Sequence, residues 1–487
     1  MMGAIAAAVS KTGENVVPKI AIMLTALLHR GFDYHGIATF NSIIRAKSIK
    51  KMEIEKLDSI VALGHNLSRI LLRDHPQPLQ GEGFSFVFEG RLFPSSSRPE
   101  ANVIMEKLKH TPQKNAQQII KRVNGSYVFT IACPDRVIVG RDTLGTNPLY
   151  YGENETTCAV ASERKALWTL GIKNVKSFPP GNIAIINEYG FSFTSVKPVT
   201  YPIIKTVKME NAVKNLKNLL VKSTKERLAD LEKVAVAFSG GLDSSIIAML
   251  AKICGVKVDL ISVGLKGLFD VQHVKVAAEA LELPLQFQTY TLDDVKEVLP
   301  KVLWLIEEPD VIKVSVAIPF YWIAATASKL GDNILLAGQG SDELFGGYQR
   351  YLRKYMQQDS TLQGSMYKDI ILNYENNLQR DNQICSFHKV ELRLPFMDHD
   401  VVNFSLSLPV NLKIKSAEDN LRKRVLRQVA QRLGLPHFIV NRVKKSIQYE
   451  TGVDRTLRKL ARNKDLTLKT HVKNVFRDVL SVKLKFD

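Results

Sequence analysis

The 487-residue chain carries 67 Lys and Arg against 48 Asp and Glu, a formal net charge of +19, with 45% hydrophobic residues. Such a length suits about two to four domains, and the composition is that of a globular protein rather than a disordered or fibrous one. No apolar run approaches the ~18 residues of a membrane span, and Cys133, Cys158, Cys254 and Cys385 are far apart with no C-x-x-C pair, which argues against a disulfide framework or a zinc site and fits a reducing cytoplasm.

Near the start, "AIAAAVS" is short and has no basic segment ahead of it, so it reads as a buried strand and not as a secretion signal. Short β-type runs follow: "GFSFVFEGRLF", "GSYVFTIAC", "RVIVGRD", "CAVAS" and "NIAIINEYGFSFTSV", with "NAQQIIKRV" at helical spacing among them. This pattern predicts a strand-rich α+β domain over residues 1–200. "KPVTYPIIKT", with two prolines, reads as a linker. From Asn211 the pattern changes. A helical stretch precedes short buried strands ("KVAVAF", "KVDLISVG", "LQFQTY", "NILLAG") that alternate with helices, which predicts a doubly wound parallel sheet in a domain covering 201–487. After about Tyr348 the chain reads as helical and basic. Residues 441–487 hold 13 Lys and Arg against 5 Asp and Glu. No recognisable nucleic-acid module accompanies that charge, so it reads as a solvated surface with a few cations serving an anionic substrate.

Two loops carry the chemistry. "AFSGGLDSS" joins a strand, Val234 to Phe238, to a helix running from Ser244 to Ile253. The C-terminal end of a parallel strand is where such sheets bind ligands. Gly240 and Gly241 let backbone N–H groups turn towards an anion, and Ser239, Ser244 and Ser245 add hydroxyl donors. Asp243 would repel a phosphate unless a cation bridges them, and Mg²⁺ is the expected bridge. No Lys follows the glycines, so this is not a Walker loop. The second loop, "LLAGQGSDELFGGYQRY", repeats the arrangement: Gly338 and Gly340 follow a strand, then Asp342 and Glu343. The ordinary alternative is a helix N-terminus whose dipole favours acids in its first turn.

"SGGLDSS" resembles the pyrophosphate-binding loop of the ATP pyrophosphatases, and "GQGSDELFGGY" resembles the asparagine synthetase branch of that group. "RDNQICSFHKVELRLPFMDHDVV" (Arg380 to Val402) and "NRVKKSIQY" (Asn441 to Tyr449) extend the resemblance over most of the chain from Asn211 to about Leu460. It implies an enzyme that uses ATP and Mg²⁺ to adenylate a carboxylic acid, aspartate in the family, releases pyrophosphate, and amidates the acyl group. Asp243 and Asp342 are the implied metal ligands, and Lys444 is the implied contact to the α-phosphate, with Lys445 as its competitor. Ala237, Val263 and Gly338 match positions lining the adenine and ribose pocket. Arg393 and Asp398 fall in the region shaping the acyl-acceptor site, or form a structural ion pair. Many relatives have Glu where this chain has Gln339, and Gln cannot act as a general base. Three alternatives stay open: Glu343 serves as the base, free NH₃ attacks without one, or the substrate differs.

The first 200 residues resemble the family's glutaminase domain, an Ntn-hydrolase-like four-layer sandwich, through "LLHRGFDYHGI", "LGHNLSRI", "RDTLGTNPLYY" and "ASERKAL". Its active groups are missing. Met2 stands where the family has its nucleophilic cysteine, and a thioether forms no thiolate. Glu89 replaces an amide that stabilises the oxyanion, and Arg91 replaces the carboxylate that binds the substrate ammonium. Leu67 replaces the arginine for the α-carboxylate, with Arg69 two residues on as a candidate rescue. The expectation is a domain that does not hydrolyse glutamine, and an amide ligase fed by free ammonia. Small molecules are the expected partners, and neither a membrane nor nucleic acid is. A homodimer and a separate ammonia-supplying protein both remain compatible. Three other readings stay open: a ligase for a different acid or amine, an RNA-modifying ATP pyrophosphatase, and a non-catalytic scaffold.

Overall fold

The strand Met2–Ser10 is buried along its whole length, and its alternation organises everything around it. The computed structural model describes residues 2–95, 97–109, 111–357, 361–416 and 420–482, and the chain divides into two units, Met1–Val199 and Thr200–Asp487. In the first unit, Ala4, Ala6 and Ala8 share a core with Val17, Ile20 and Leu24 of helix Val17–Ala26. Ile5, Ala7 and Val9, on the opposite face, share a core with Val87, Val128 and Val139 of a second sheet. The far face of that sheet presents Phe86, Phe88 and Phe129 to Ile104 of helix Glu100–Leu108 and Ile119 of helix Pro112–Arg122. Period-two alternation thus builds four layers: helix, seven-stranded sheet, six-stranded sheet, helices. The strand pairings within both sheets are antiparallel. This is the α+β sandwich expected for the N-terminal part. The helix Val17–Ala26 was not foreseen, because a ten-residue run that is apolar on most sides carries little helical period.

The second unit holds a five-stranded parallel sheet. Numbered within this unit, its strands are β1 (Lys233–Ala237), β2 (Lys257–Leu265), β3 (Leu285–Tyr290), β4 (Ile334–Leu336) and β5 (Glu391–Arg393). They lie in the order β3-β2-β1-β4-β5, every neighbouring pair parallel. The helices are α1 (Met209–Leu228), α2 (Leu242–Ile253), α3 (Val271–Leu281), α4 (Leu292–Ile306) and α5 (Val311–Lys329). The chain steps outward from β1 to β3, then returns across β1 to β4. With right-handed crossovers, α2 and α3 cover one face and α4 and α5 the other. The reversal makes the C-terminal ends of β1 and β4 a topological switch point, the place where such sheets open a crevice.

Two features of this unit differ from the sequence reading. Strand β5 was read as part of a helical region. It is three residues long, and its ends are charged, but Glu391 and Arg393 share one face and pair with each other at 2.7 Å, so both are buried. Helix α5 is long and apolar enough to cross a membrane, by length and composition only; two thirds of its apolar window is buried inside this unit. Lys313 interrupts the apolar run near its start.

Candidate active site

The loop after β1 is tied to itself. The Ser239 N–H donates to Ser244 Oγ (3.2 Å), the Gly241 N–H donates to Ser239 Oγ (3.3 Å), and Ser244 Oγ donates back to the Gly241 carbonyl (3.2 Å). Gly240 makes the turn at φ +66°, and a Cβ there would lie 3.1 Å from the ring of His273. That ring, on α3, donates through Nε2 to the Gly240 carbonyl (3.0 Å). The loop after β4 turns at Gly340 with φ +93°, where a Cβ would come within 2.4 Å of Met397 Sδ. The two loops touch: a Cβ on Gly338 would stand 3.0 Å from that of Asp243.

Their acids converge on one point. Lys423 Nζ lies 2.8 and 2.7 Å from the Asp243 carboxylate oxygens, 2.6 Å from Asp342 Oδ1, and donates to Ser341 Oγ at 3.0 Å. Lys444 Nζ reaches Asp342 Oδ2 at 2.9 Å. Burial pushes the Asp342 carboxyl up, but the two ammonium charges outweigh it and hold it well below the usual carboxylate range. Lys444 is the mirror case. Burial lowers it, Asp342 and Asp243 more than compensate, and its pKa rises to about 12, so it stays charged. Two carboxylates gathered about a single cation fit the one or two that Mg²⁺ takes alongside phosphate oxygens. No third acid, His or Cys joins them among the described residues.

Around this cluster lie two adjoining spaces. The larger, of about 150 Å³, is walled by Ala237, Val263 and Gly338 at the strand ends, and by Gln339, Ile447 and Thr451. The smaller, of about 50 Å³, is lined by Ser239, Gly241 and Ser244, by Lys423, Arg427, Arg442, Lys444 and Lys445, and by two carboxylates, Asp243 and Glu450, the latter paired with Arg442. The larger sets apolar walls at Val263, Phe269 and Ile323 beside the polar groups of Asp243, Asp342 and Lys444, which suits a ligand with a planar apolar part and a charged part, and the smaller suits an anion.

Most of the residues singled out in the sequence therefore meet. Ala237, Ser239, Asp243, Ser244, Val263, Gly338, Asp342 and Lys444 line the larger cavity, and Gly241 lines the smaller. Gly240 acts through the turn it permits. Four expectations need correction. Ser245 is fully buried behind the loop, and its hydroxyl has no hydrogen-bond partner among the described residues. Glu343 does not face the cavity: successive helical side chains diverge by about 100°, and its Oε1 accepts from Tyr348 (2.6 Å) and Asn377 (3.2 Å) instead. Burial, then the Asp342 charge, pushes its carboxyl up. Arg393 and Asp398 line neither space and do not pair with each other. Arg393 donates to the Arg227 carbonyl, while Asp398 binds the Arg227 guanidinium (3.2 Å) and caps the helix His399–Ser407. They anchor α1 to the end of the sheet.

Sequence reasoning missed Lys423, His273 and Arg442. Arg442 donates to the Ser239 carbonyl (2.9 Å) and so holds the first loop from the far end of the chain. Lys423 sits in "LRKRVLR", where nothing local separates it from Arg422 and Arg424. Gln339 donates to the buried Asp381 at 2.6 Å. A Glu there would set two carboxylates against each other, which explains the amide.

In the first unit, the positions that depart from the glutaminase pattern are filled by internal ion pairs. Glu89 accepts from Arg30 (3.0 Å) and Ser162 (3.1 Å), and Arg30 also binds Glu163 (3.1 Å) and the Gly3 carbonyl (2.8 Å). Arg91 holds Asp74 at 2.6 and 2.9 Å and Glu100 at 3.3 Å. Leu67 is fully buried among Phe84, Phe86 and Phe88. Arg69 lies beyond the end of the strand Val61–Ser68, exposed, with its Nε donating to the Asp74 carbonyl (3.2 Å). The cysteines of this unit offer no nucleophile: burial pushes the Cys158 thiol up to about 12 and raises that of Cys133.

Comparison with known proteins agrees with this geometry. The asparagine synthase family matches residues 215–362 and 354–480, and the glutamine amidotransferase domain family matches 87–169. A Methanocaldococcus jannaschii protein, named provisionally as glutamine-hydrolysing asparagine synthetase 1, is 29% identical over 95% of this chain and 95% of its own. Glutamine-hydrolysing asparagine synthetase 3 of Arabidopsis thaliana is 27% identical, covering 72% of this chain and 62% of its own length. That of Sandersonia aurantiaca is 26% identical over 72% and 68%. With the family match spanning more than half of the residues and the switch-point loops inside it, the chain belongs to the asparagine synthase family of ATP-dependent carbon–nitrogen ligases.

Proposed function

We propose that this enzyme adenylates L-aspartate with ATP, releases pyrophosphate, and converts the acyl-adenylate to the amide with free ammonia. The observation that carries the reading is the convergence of Asp243 and Asp342, from two strand-end loops, in a cavity of mixed polar and apolar lining beside a smaller pocket whose five cations outnumber its two carboxylates. The nucleoside occupies the larger space against Ala237, Val263 and Gly338. The β- and γ-phosphates occupy the smaller one, against Ser239, Gly241 and Ser244 and facing Lys423, Arg427 and Lys445, with Arg442 holding the loop in place. Lys444, charged at any working pH, neutralises charge that builds at the α-phosphate as the carboxylate attacks. Mg²⁺, held by Asp243 and Asp342, would supply the counter-charge that lets pyrophosphate leave. Lys423 keeps those two carboxylates together in its absence.

The nitrogen source follows from the first unit. Glu89, an acceptor held by Arg30, has no N–H to offer an oxyanion, and Arg91 would repel a substrate ammonium. Met2 provides no thiolate. The curated relatives are named glutamine-hydrolysing; this chain departs from them in that respect. Gln339, in the cavity wall and committed to Asp381, favours a second reading: a ligase of the same type acting on a different acid.

Pyrophosphate release, measured with ammonium across a panel of carboxylic acids, tests the assignment. Aspartate-dependent release supports it. Release that depends on another acid moves the assignment to the second reading, and no release with any acid removes it.

A further inference from the structure

The second unit carries a further concavity, larger than the nucleotide cavity. A cleft of about 670 Å³ opens at the C-terminal ends of β2 and β3, and shares no lining residue with the nucleotide cavity. Its volume falls within the roughly 300–1,000 Å³ of small-molecule sites. One wall is the helix Val453–Arg462, which presents Arg455, Lys459 and Arg462 to the cleft. These are spaced i, i+4, i+7 and so share one helical face. Lys266 faces them from the loop after β2. No acidic side chain lines the cleft, and none of the four cations is in an ion pair among the described residues. The contrast lies on the same helix: Arg458, on another face, is paired with Asp454 at 2.8 Å. Like charges at this spacing repel, so an unpaired stripe facing a concavity is an arrangement that an anionic ligand would relieve. Leu268 and Tyr290 contribute apolar surface. The Tyr290 ring is held flat against Trp322, with centroids 4.0 Å apart and planes 5° from parallel.

We infer that this cleft binds a small organic phosphate of nucleotide size, its phosphates on the Arg455–Lys459–Arg462 face and its planar group against the wall that includes Tyr290. Arginine forks match phosphate oxygens. A cleft that sets apolar surface at Leu268 and Tyr290 beside a short, solvent-exposed cationic face suits a compact ligand better than an extended nucleic-acid strand, which needs a continuous basic track. Because the cleft has no carboxylate to bridge, it takes its ligand without a divalent cation, unlike the site at Asp243 and Asp342.

Calorimetric titration of the full chain with ADP in EDTA tests this. The inference expects saturable binding of one ADP per chain that weakens about tenfold or more in Arg455→Glu/Lys459→Glu, with inorganic tripolyphosphate binding more weakly than ADP. The milder Arg455→Gln/Lys459→Gln pair should weaken it in the same direction, which separates lost charge from a disturbed helix. Absence of binding, or binding indifferent to both pairs, overturns the inference. So does tripolyphosphate binding as tightly as ADP. A single-stranded RNA that binds more tightly than ADP, with the same sensitivity, replaces it with a nucleic-acid site.

Discussion

Four charged side chains, Asp243, Asp342, Lys423 and Lys444, carry the proposed chemistry, linked in a chain of ion pairs in which Lys423 joins the two carboxylates and Lys444 holds Asp342. Asp243→Asn removes a metal-side carboxylate while Lys423 keeps Asp342 as its partner. Pyrophosphate release should fall by at least about 100-fold, with the thermal midpoint little changed. Near-wild-type release would take Asp243 out of the site. A different residue makes a prediction about stability. Lys413 is fully buried, its Nζ has no hydrogen-bond partner among the described residues, and burial lowers its pKa to about 7. Between that value and the ordinary 10.5 of an unfolded lysine, the unfolded chain binds more protons than the folded one, so this group makes stability rise with pH. Lys413→Met should therefore stabilise the protein at pH 7 by on the order of 4 kcal/mol and remove that part of the slope. Denaturant unfolding of both proteins at pH 7 and pH 10 checks it, and a destabilised variant with an unchanged slope would refute it. Neither Lys413 nor Lys423 was legible in the sequence. Both sit in ordinary basic stretches, and only burial, which depends on residues far away in the chain, separates them from their exposed neighbours.

At the scale of elements, the strand-end loops were legible because their signal is local: an apolar strand, glycines, an acid, then helical spacing. The sequence could not rank their glycines, and the backbone does. Gly340 has φ +93° and faces Met397 Sδ, whereas Gly241 has ordinary backbone angles and a Cβ there would meet only Ser239 Oγ at 3.1 Å. Gly340→Ala should lower stability by about 2 kcal/mol or more and abolish pyrophosphate release. Gly241→Ala should keep the wild-type melting temperature within a few degrees. Equal melting temperatures for all three proteins would show that the second loop does not need its turn. The errors at this scale were likewise non-local. Strand β5 owes its existence to pairing with β4, and Arg393 and Asp398 are fixed by Arg227, which lies more than 160 residues earlier.

At the scale of the whole molecule, the alternation of strand and helix after Asn211 was enough to predict the parallel sheet, and the short β-type runs were enough for the α+β sandwich. What neither pattern could show is that the altered glutaminase positions are occupied by closed ion-pair networks. Arg30 with Glu89 and Glu163, and Arg91 with Asp74 and Glu100, satisfy one another, and breaking a buried pair costs about 3–5 kcal/mol. Two expectations follow. The protein should form the amide from ammonium salts and release no glutamate from glutamine, as followed by amino-acid analysis. Met2→Cys alone should not restore glutamate release, because Glu89 and Arg91 still stand in the pocket; glutamate appearing in step with amide in the wild type would contradict this. Phosphorus NMR of ATP incubated with the enzyme, Mg²⁺, aspartate and ammonium reads directly which bond of ATP is cleaved: AMP and pyrophosphate in equal amounts are predicted, and ADP with inorganic phosphate would contradict adenylation of the acid.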